Sequence, residues 1–181
     1  MSVFQLPTQG GLSAAELRAR AQGPAAPLRR RMAAFVYEGV LLFALFMAAG
    51  AIYSVSAGQV HALQGRTGMM ATQFLALAVY FIWFWTPGGQ TLAMNTWQVR
   101  VLSQHGEPLG LWPACLRFLL SWLWFMPAWV GSWLAGWHQS KLLFGAMLVW
   151  ALIYAALTRL LPQRQFLHDA ICRTRVIDHR S

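Results

Sequence analysis

The sequence MAAFVYEGVLLFALFMAAGAIYSV, residues 32–55, is an apolar stretch that contains one acidic residue, Glu38. Three arginines, residues 29–31, come directly before it. At 1.5 Å per helical residue, Glu38 lies about 10 Å beyond Arg31 on the same helix face, inside a hydrocarbon layer ~30 Å thick. A carboxyl group at that depth must be protonated, paired or hydrated. The stretch therefore predicts a transmembrane helix with a polar site inside the membrane.

Composition is typical of an integral membrane protein, since 57% of the residues are hydrophobic, only 10% are charged and the mean hydropathy is +0.45. Four stretches are long and apolar enough to cross a bilayer: residues 32–55, 69–85, 113–135 and 142–161. Helices satisfy their own backbone polar groups, as lipid requires, and the sequence lacks the period-2 alternation of a membrane β-barrel. We predict an all-α membrane protein, a bundle of four transmembrane helices.

The basic residues predict the orientation of these helices, because cytoplasmic segments carry an excess of Lys and Arg. With the N-terminus inside, only Arg66 and Lys141 of the 14 basic residues fall outside. The cytoplasmic set is Arg18, Arg20, Arg29, Arg30, Arg31, Arg100, Arg117, Arg159, Arg164, Arg173, Arg175 and Arg180. Both termini are therefore predicted to be cytoplasmic.

The formal net charge of +9 predicts contact with anionic lipid headgroups. The arginines flank apolar stretches instead of forming one soluble basic face, so we expect no nucleic-acid partner. A juxtamembrane cation gains roughly 1 kcal/mol near an anionic leaflet.

Residues 1–28 are predicted to form a flexible cytoplasmic arm with a short surface helix. Ser13 and Glu16 have capping-box spacing, and Gly23 is placed to end the helix. The first apolar stretch begins too late and is too long for a secretory signal, so we expect it to stay in the bilayer. The membrane domain is predicted at residues 29–178, followed by a tail at 179–181.

Cysteines and histidines indicate no metal site or cofactor. Cys115 and Cys172 both fall on the predicted cytoplasmic side, where thiols stay reduced, so a disulfide is not expected. Neither has CxxC or Cys/His spacing, and the five histidines are scattered.

Tryptophans recur along the third apolar stretch at residues 122, 129, 133 and 137. Such a stripe suits an aromatic pocket, but Trp is enriched at bilayer interfaces, and we favour anchoring there. Pro127 lies in the middle of this stretch and is expected to kink the helix.

The connection between the second and third stretches is predicted to carry local structure. Residues 86–89 turn the chain, 91–97 suit an interfacial amphipathic turn, and 98–102 alternate as a strand does. Residues 171–177 alternate too. We predict that these two segments pair as strands beneath the membrane, supported by the helices or the bilayer surface.

Three separated motifs resemble the RDD family of small bacterial membrane proteins, named for an arginine and two aspartates. The first is RMAAFVYE, residues 31–38; the second is GQTLAMNTWQVRV, residues 89–101, with GEPL at 106–109 and Arg117. The third is FLHD, residues 166–169, followed by Arg173 and Val176. The resemblance covers residues 29–178 and implies a bacterial inner-membrane protein with a transport-related role. It assigns Arg31, Glu38, Arg117 and Asp169 as the principal polar residues, with Gly89, Gln90, Thr91, Arg100 and His168 as secondary ones.

The chain departs from the family pattern at two places. Glu38 stands where the family has aspartate, so the charge is kept with a longer reach. Residues 93–95, AMN, replace the usual glycine and basic residue, so a loop cation is missing. The fourth apolar stretch also exceeds the three-span form common in the family.

Two roles are open for Glu38. An embedded carboxyl group near cations can bind and release a proton or an alkali cation, because burial and nearby arginines act on it in opposite directions. Alternatively, it pairs permanently with Arg117 or Arg31 and fixes helix packing.

Asp169 and His168 are open to the same two kinds of interpretation. They suit a proton relay, but we favour a cap on the helix bundle or a bridge from Asp169 to Arg100. The sequence contains no G-x-S-x-G, H-E-x-x-H or phosphate-loop motif, so we expect no enzymatic activity.

Two function classes follow from these residues. One is transport of a small ion or solute through a polar site near Glu38, which a single four-helix unit would perform by self-association. The other is an accessory or assembly subunit of a larger membrane complex, with Ala44, Ala48 and Ala51 allowing close approach of a partner helix.

Overall fold

A computed structural model of the protein describes residues 13–58, 65–137, 139–161 and 164–179. These residues are mainly helical, with one pair of short strands. The elements in chain order are α1 Ala14–Gln22, α2 Leu28–Ser56, α3 Arg66–Trp85, α4 Leu92–Thr96, β1 Val99–Ser103, α5 Leu111–Ser121, a 3-10 helix Trp122–Trp124, α6 Met126–Leu134, α7 Ser140–Leu157, α8 Leu167–Ile171 and β2 Thr174–Asp178.

Three of the described helices, α2, α3 and α7, are long and apolar enough to cross a membrane. The pair formed by α5 with its 3-10 extension and α6 adds a fourth span if it crosses as one unit, although it bends by 43°. A chain with these helices has the architecture of an all-α membrane protein. The spans α2, α3 and α7 all begin earlier than predicted, at Leu28, Arg66 and Ser140, because the helices extend beyond their apolar parts, and α7 ends at Leu157 instead of residue 161.

The third predicted span, residues 113–135, is interrupted and not one continuous helix, and its 43° bend lies beside Pro127, where a kink was predicted. The chain breaks at Phe125, and Pro127 lies in the first turn of α6, where its missing N–H costs little. Proline cannot donate to the carbonyl four residues earlier, that of Leu123. The indole Nε1 of Trp150 on α7 donates to that oxygen at 2.9 Å instead. The break is therefore tied to the neighbouring helix, and it positions Trp124 in the interior.

The strand pair is antiparallel, with Val101 opposite Val176 and Ser103 opposite Thr174. Residues 99–103 and 174–178 form it, so the strands start one and three residues later than the alternating segments suggested. Val99, Val101 and Val176 are buried in one cluster with Ala34 of α2 and Ala114 of α5. Helical support of this kind is what a two-stranded sheet needs.

The N-terminal segment packs on this strand pair from Ser13 onward. Ser13 and Glu16 form a capping box, and α1 ends at Gly23, as their spacing predicted. Ala26 donates its N–H to the Val176 carbonyl at 2.9 Å, and Arg30 pairs with Asp178 at 2.8 Å. These contacts join the predicted arm to the predicted membrane domain. Residues 1–12 and the last two tail residues lie outside the described part of the chain.

Candidate functional site

An ion pair between Arg117 on α5 and Asp169 on α8 lies at the centre of the polar residues. The Arg117 Nε is 2.8 Å from Asp169 Oδ1, and Asp169 is fully buried. Thr174, at the start of β2, donates its hydroxyl to the same oxygen at 2.8 Å. The Arg117 guanidinium also lies 4.1 Å from the centre of the Trp85 ring. The pair thus joins α5 and α8 to the end of α3 and to the strand pair.

The charge of Asp169 is held by this environment. Burial alone would raise the pKa of its carboxyl group, but Arg117 and the other donors outweigh burial, and the pKa lies below its ordinary value. A bridge from Asp169 to Arg100 was predicted and is wrong, because Asp169 pairs with Arg117 instead. Arg100 belongs to β1 and lies opposite Ile177.

His168 is buried beside this pair and is neutral at ordinary pH. Burial lowers its pKa to about 4, because the loss of solvation outweighs the raising effect of Asp169, and the charges of Arg117 and Arg31 lower the pKa further. Its Nδ1 is 2.8 Å from the Tyr154 hydroxyl on α7, and its Nε2 is 3.6 Å from Asp169 Oδ2. We assign the ring proton to Nε2, the nitrogen that faces the Asp169 carboxylate, and Nδ1 then accepts from the Tyr154 hydroxyl.

Glu38 does not pair with either predicted arginine. Its Oε1 accepts from the Tyr80 hydroxyl on α3 at 2.6 Å, and its Oε2 accepts from the Thr91 hydroxyl. The prediction of a permanent ion pair between Glu38 and Arg117 or Arg31 is therefore wrong. Arg117 pairs with Asp169, and two neutral hydroxyls bind the Glu38 carboxyl group. Glu38 is buried, on the same face of α2 as Arg31 and Ala34, as the spacing of seven predicted.

The loop before β1 positions Thr91 for this contact. Gly89 has φ +65°, and its carbonyl accepts from the Val101 N–H at 2.7 Å. The Gln90 side chain donates to the Val99 carbonyl at 2.9 Å. Thr91 caps α4, because its hydroxyl oxygen accepts from the Met94 N–H at 3.2 Å. The three residues thus fasten the loop to β1 and hold the Thr91 hydroxyl in place for donation to Glu38.

Arg31 has the least satisfied side chain of the cluster. It is 95% buried, its Nη2 donates to the Arg164 carbonyl at 2.8 Å, and its guanidinium lies 4.5 Å from the Phe166 ring centre. Its Nε and Nη1 have no hydrogen-bond partner among the described residues. No carboxylate in that part of the chain lies within 4 Å of it.

A cavity of about 700 Å³ brings the polar residues together between α2, α3 and α5. Its polar wall consists of Arg31, Glu38, Arg117, Ser121 and His168. The rest of the lining is mainly aliphatic and aromatic, and includes Leu42, Phe46, Leu77, Phe81, Met147, Trp122 and Trp124. A pocket of this size with few polar groups in an apolar lining has the form of a small-molecule site, for which roughly 300–1,000 Å³ is usual.

The family model of the RDD family matches residues 25–173 of the chain. The chain belongs to the RDD family. The comparisons with curated proteins and with solved structures each give no match. RDD membership and the membrane-spanning helices together identify a membrane protein.

The four RDD-motif residues do not form one network. Arg117 and Asp169 form an ion pair, Glu38 binds two hydroxyls about two turns along α2, and Arg31 binds a backbone carbonyl. Sequence reasoning missed Tyr80, Tyr154 and Thr174, which complete the hydrogen bonds of Glu38, His168 and Asp169. Tyr80 and Tyr154 carried a usable signal, because a buried tyrosine hydroxyl usually has a polar partner.

In the described part of the RDD domain, no three His, Cys, Asp or Glu side chains cluster as metal ligands would. Cys115 and Cys172 are free there. Burial raises the pKa of Cys172 to about 11, which leaves the thiol protonated.

Proposed function

We propose that this RDD-family protein transports a small ion or solute across the bacterial inner membrane, with the cavity as its binding site and Glu38 as the acid that exchanges a proton or cation. The observation that carries the proposal is the environment of Glu38. It lines the cavity, it is buried, and both of its oxygens accept from hydroxyl groups instead of an arginine.

Neutral donors matter because they leave the charge of the carboxyl group adjustable. Tyr80 and Thr91 can each rotate a hydroxyl proton, so Glu38 can gain or lose a proton without breaking an ion pair. Asp169 differs, since protonating it would remove the partner of the buried Arg117. Asp169 is therefore a fixed structural charge, whereas the charge of Glu38 is exchangeable.

The direct experiment is proton and sodium flux in proteoliposomes that contain the purified full chain, compared with Glu38→Gln. Glutamine keeps the shape and can still bind Tyr80 and Thr91, but it cannot exchange a proton. We expect flux from the natural protein and a loss of at least about tenfold in Glu38→Gln, because an essential proton carrier has been removed. Glu107→Gln is the matched control, since that acid is 63% exposed and lies outside the cavity. Equal flux in Glu38→Gln and the natural protein would contradict the role of Glu38.

The alternative is an accessory or assembly subunit that packs against a larger membrane complex or another copy of the chain. Ala44, Ala48 and Ala51 are exposed on one side of α2, where small residues allow close approach of a helix. The Glu38→Gln variant separates the two classes. A packing subunit would show no flux in either form, and the variant would lose stability or a copurifying partner.

Orientation is part of the proposal, with both termini cytoplasmic and anionic headgroups in contact with the arginine-rich ends. The twelve-to-two distribution of basic residues supports it. Reporter fusions at residue 138, outside the described residues, should show a periplasmic signal, and fusions at the C-terminus a cytoplasmic one. A cytoplasmic signal at residue 138 would contradict four spans. We further propose that the protein has no enzymatic activity and no nucleic-acid partner.

A further inference from the structure

The unbalanced guanidinium of Arg31 is the starting observation. Arginine keeps its positive charge in proteins, and burying that charge is costly unless an anion or sufficient acceptors compensate it. Arg117 has Asp169 as its anion, whereas Arg31 has one backbone carbonyl, the Phe166 ring and only the more distant charge of Asp169. Two of its nitrogens have no acceptor among the described residues. Arg31 therefore offers a strong binding site for an anionic group.

The cavity beside Arg31 suits a hydrocarbon chain. Its lining beyond the polar wall is apolar and runs along α2 through Leu42 to Phe46. Buried or half-buried Leu77, Phe81 and Met147 contribute from other helices. An ion exchanged at Glu38 occupies only the polar wall, so the apolar lining is free to bury a second, apolar group, which is favourable. A ligand with an anionic end and an apolar body satisfies both parts at once.

The cavity also opens in a direction that a lipid-soluble ligand can use. Val36 and Gly39 both line it and are exposed on α2, with Val36 64% exposed. Both lie within the span α2, where an exposed side chain faces the hydrocarbon of the bilayer. A ligand dissolved in the membrane can therefore enter sideways, with its charged end at the level of the first turns of α2.

We propose that the cavity binds a single-chain amphiphile with a carboxylate head, the head on Arg31 and the chain between Leu42 and Phe46. The amphiphile would be the substrate of the proposed transport site, and only this role as substrate rests on the proposed function. Binding of the amphiphile is measured without measuring flux, so the binding proposal and the transport proposal can fail separately. Charge-assisted hydrogen bonds from a buried guanidinium hold the head, and apolar burial holds the chain.

The test is photo-crosslinking of the purified full chain with palmitate that carries a diazirine near the end of its chain. Adducts at Leu42 and Phe46 report the cavity, and adducts at Phe43, which is 68% exposed on α2, report contact with bulk probe. The ratio of cavity adducts to Phe43 adducts should be high for palmitate. It should fall about tenfold in Arg31→Gln, the size expected for one lost charge-assisted contact. A ratio that is unchanged in Arg31→Gln, or equal for a quaternary ammonium probe of the same chain length, would overturn the proposal.

Arg159→Gln is the matched control. Arg31 also borders a second hollow of about 600 Å³, which contains Arg159 and Arg164 and shares no other residue with the cavity. The exposed Arg159 lines only that hollow, so its loss should leave the labelling ratio unchanged. An equal fall in Arg159→Gln would place the head in the outer hollow and overturn the assignment. Displacement of the probe by inorganic phosphate alone would likewise show a site for a free anion.

Gly39→Phe keeps the test decisive if Arg31→Gln does not fold. A Cβ on Gly39 meets no atom within 4 Å, so a phenyl ring can occupy the cavity mouth while every charge is retained. Cavity labelling should disappear in this variant, and its persistence would refute the proposal. Labelling without flux would support the amphiphile site and reject transport. Flux that depends on Glu38 without cavity labelling would reject the amphiphile alone.

Discussion

Replacing Asp169 with asparagine is expected to lower the free energy of unfolding by about 3–5 kcal/mol, the usual cost of removing one partner of a buried ion pair. Asparagine keeps an oxygen for Thr174 but leaves the buried residue Arg117 without its anion. The pair also joins α5 to α8, so the loss should loosen the end of the bundle that holds His168. Unfolding by SDS in mixed micelles measures the change.

Glu107→Gln provides the comparison for this prediction. Glu107 faces Arg18 at 3.9 Å, and both side chains are 63% exposed, so this ion pair should contribute less than about 1 kcal/mol. Arg117→Met combined with Asp169→Asn should recover part of the stability lost in Asp169→Asn, because the buried charge is then gone. A loss below about 1 kcal/mol in Asp169→Asn would mean that the pair does not support the fold.

Gly89→Ala is expected to cost at least about 2 kcal/mol, because the residue would be strained and would also clash. At φ +65° an L-residue is disfavoured, and a Cβ at Gly89 would lie 2.3 Å from the Val101 carbonyl oxygen. That oxygen is backbone and cannot rotate away. The loop would have to separate from β1, which would also displace Thr91 from Glu38. Unfolding in micelles again gives the measurement.

Gly131→Ala should raise the free energy of unfolding, whereas Gly89→Ala should lower it. Gly131 lies within α6, and a Cβ there meets nothing within 4 Å. Alanine should stabilise the helix by about 0.5–1 kcal/mol, because glycine loses more backbone entropy on folding. Equal effects at the two glycines would show that Gly89 is not held against β1.

Helix positions were predictable because hydrocarbon imposes a strong and simple demand on sequence. The apolar stretches located α2, α3 and α7, while their first residues differ because α2 and α7 continue into polar ends at Leu28 and Ser140. Pro127 predicted an interruption of the third span. Its form, with a 3-10 turn and the Trp150 indole on the Leu123 carbonyl, depends on a contact with a helix 27 residues away in sequence.

The polar residues were predictable as a set but not as pairs. Arg31, Glu38, Arg117 and His168 do border one cavity. Their partners depend on how each helix is rotated, which a single sequence does not specify. Glu38 illustrates this, because a tyrosine within an apolar span signals that its hydroxyl has a polar partner but not that Tyr80 faces Glu38 on α2. Residue type alone favoured an arginine as the partner of Glu38, whereas helix rotation brings the Tyr80 hydroxyl to it instead.

The decisive measurement for a transport site at this cavity is flux through the reconstituted protein. Glu38→Gln and Gly39→Phe are measured beside the natural chain. Glu38→Gln removes the exchangeable proton, and Gly39→Phe fills the cavity mouth without changing any charge. Gly131→Phe serves as the control for adding a phenyl ring at an open helical glycine outside the cavity. We predict proton or sodium flux in the natural chain and Gly131→Phe, and its loss in the other two folded variants. Absence of flux in the folded natural chain, or equal flux in all four proteins, would contradict a transport site at this cavity.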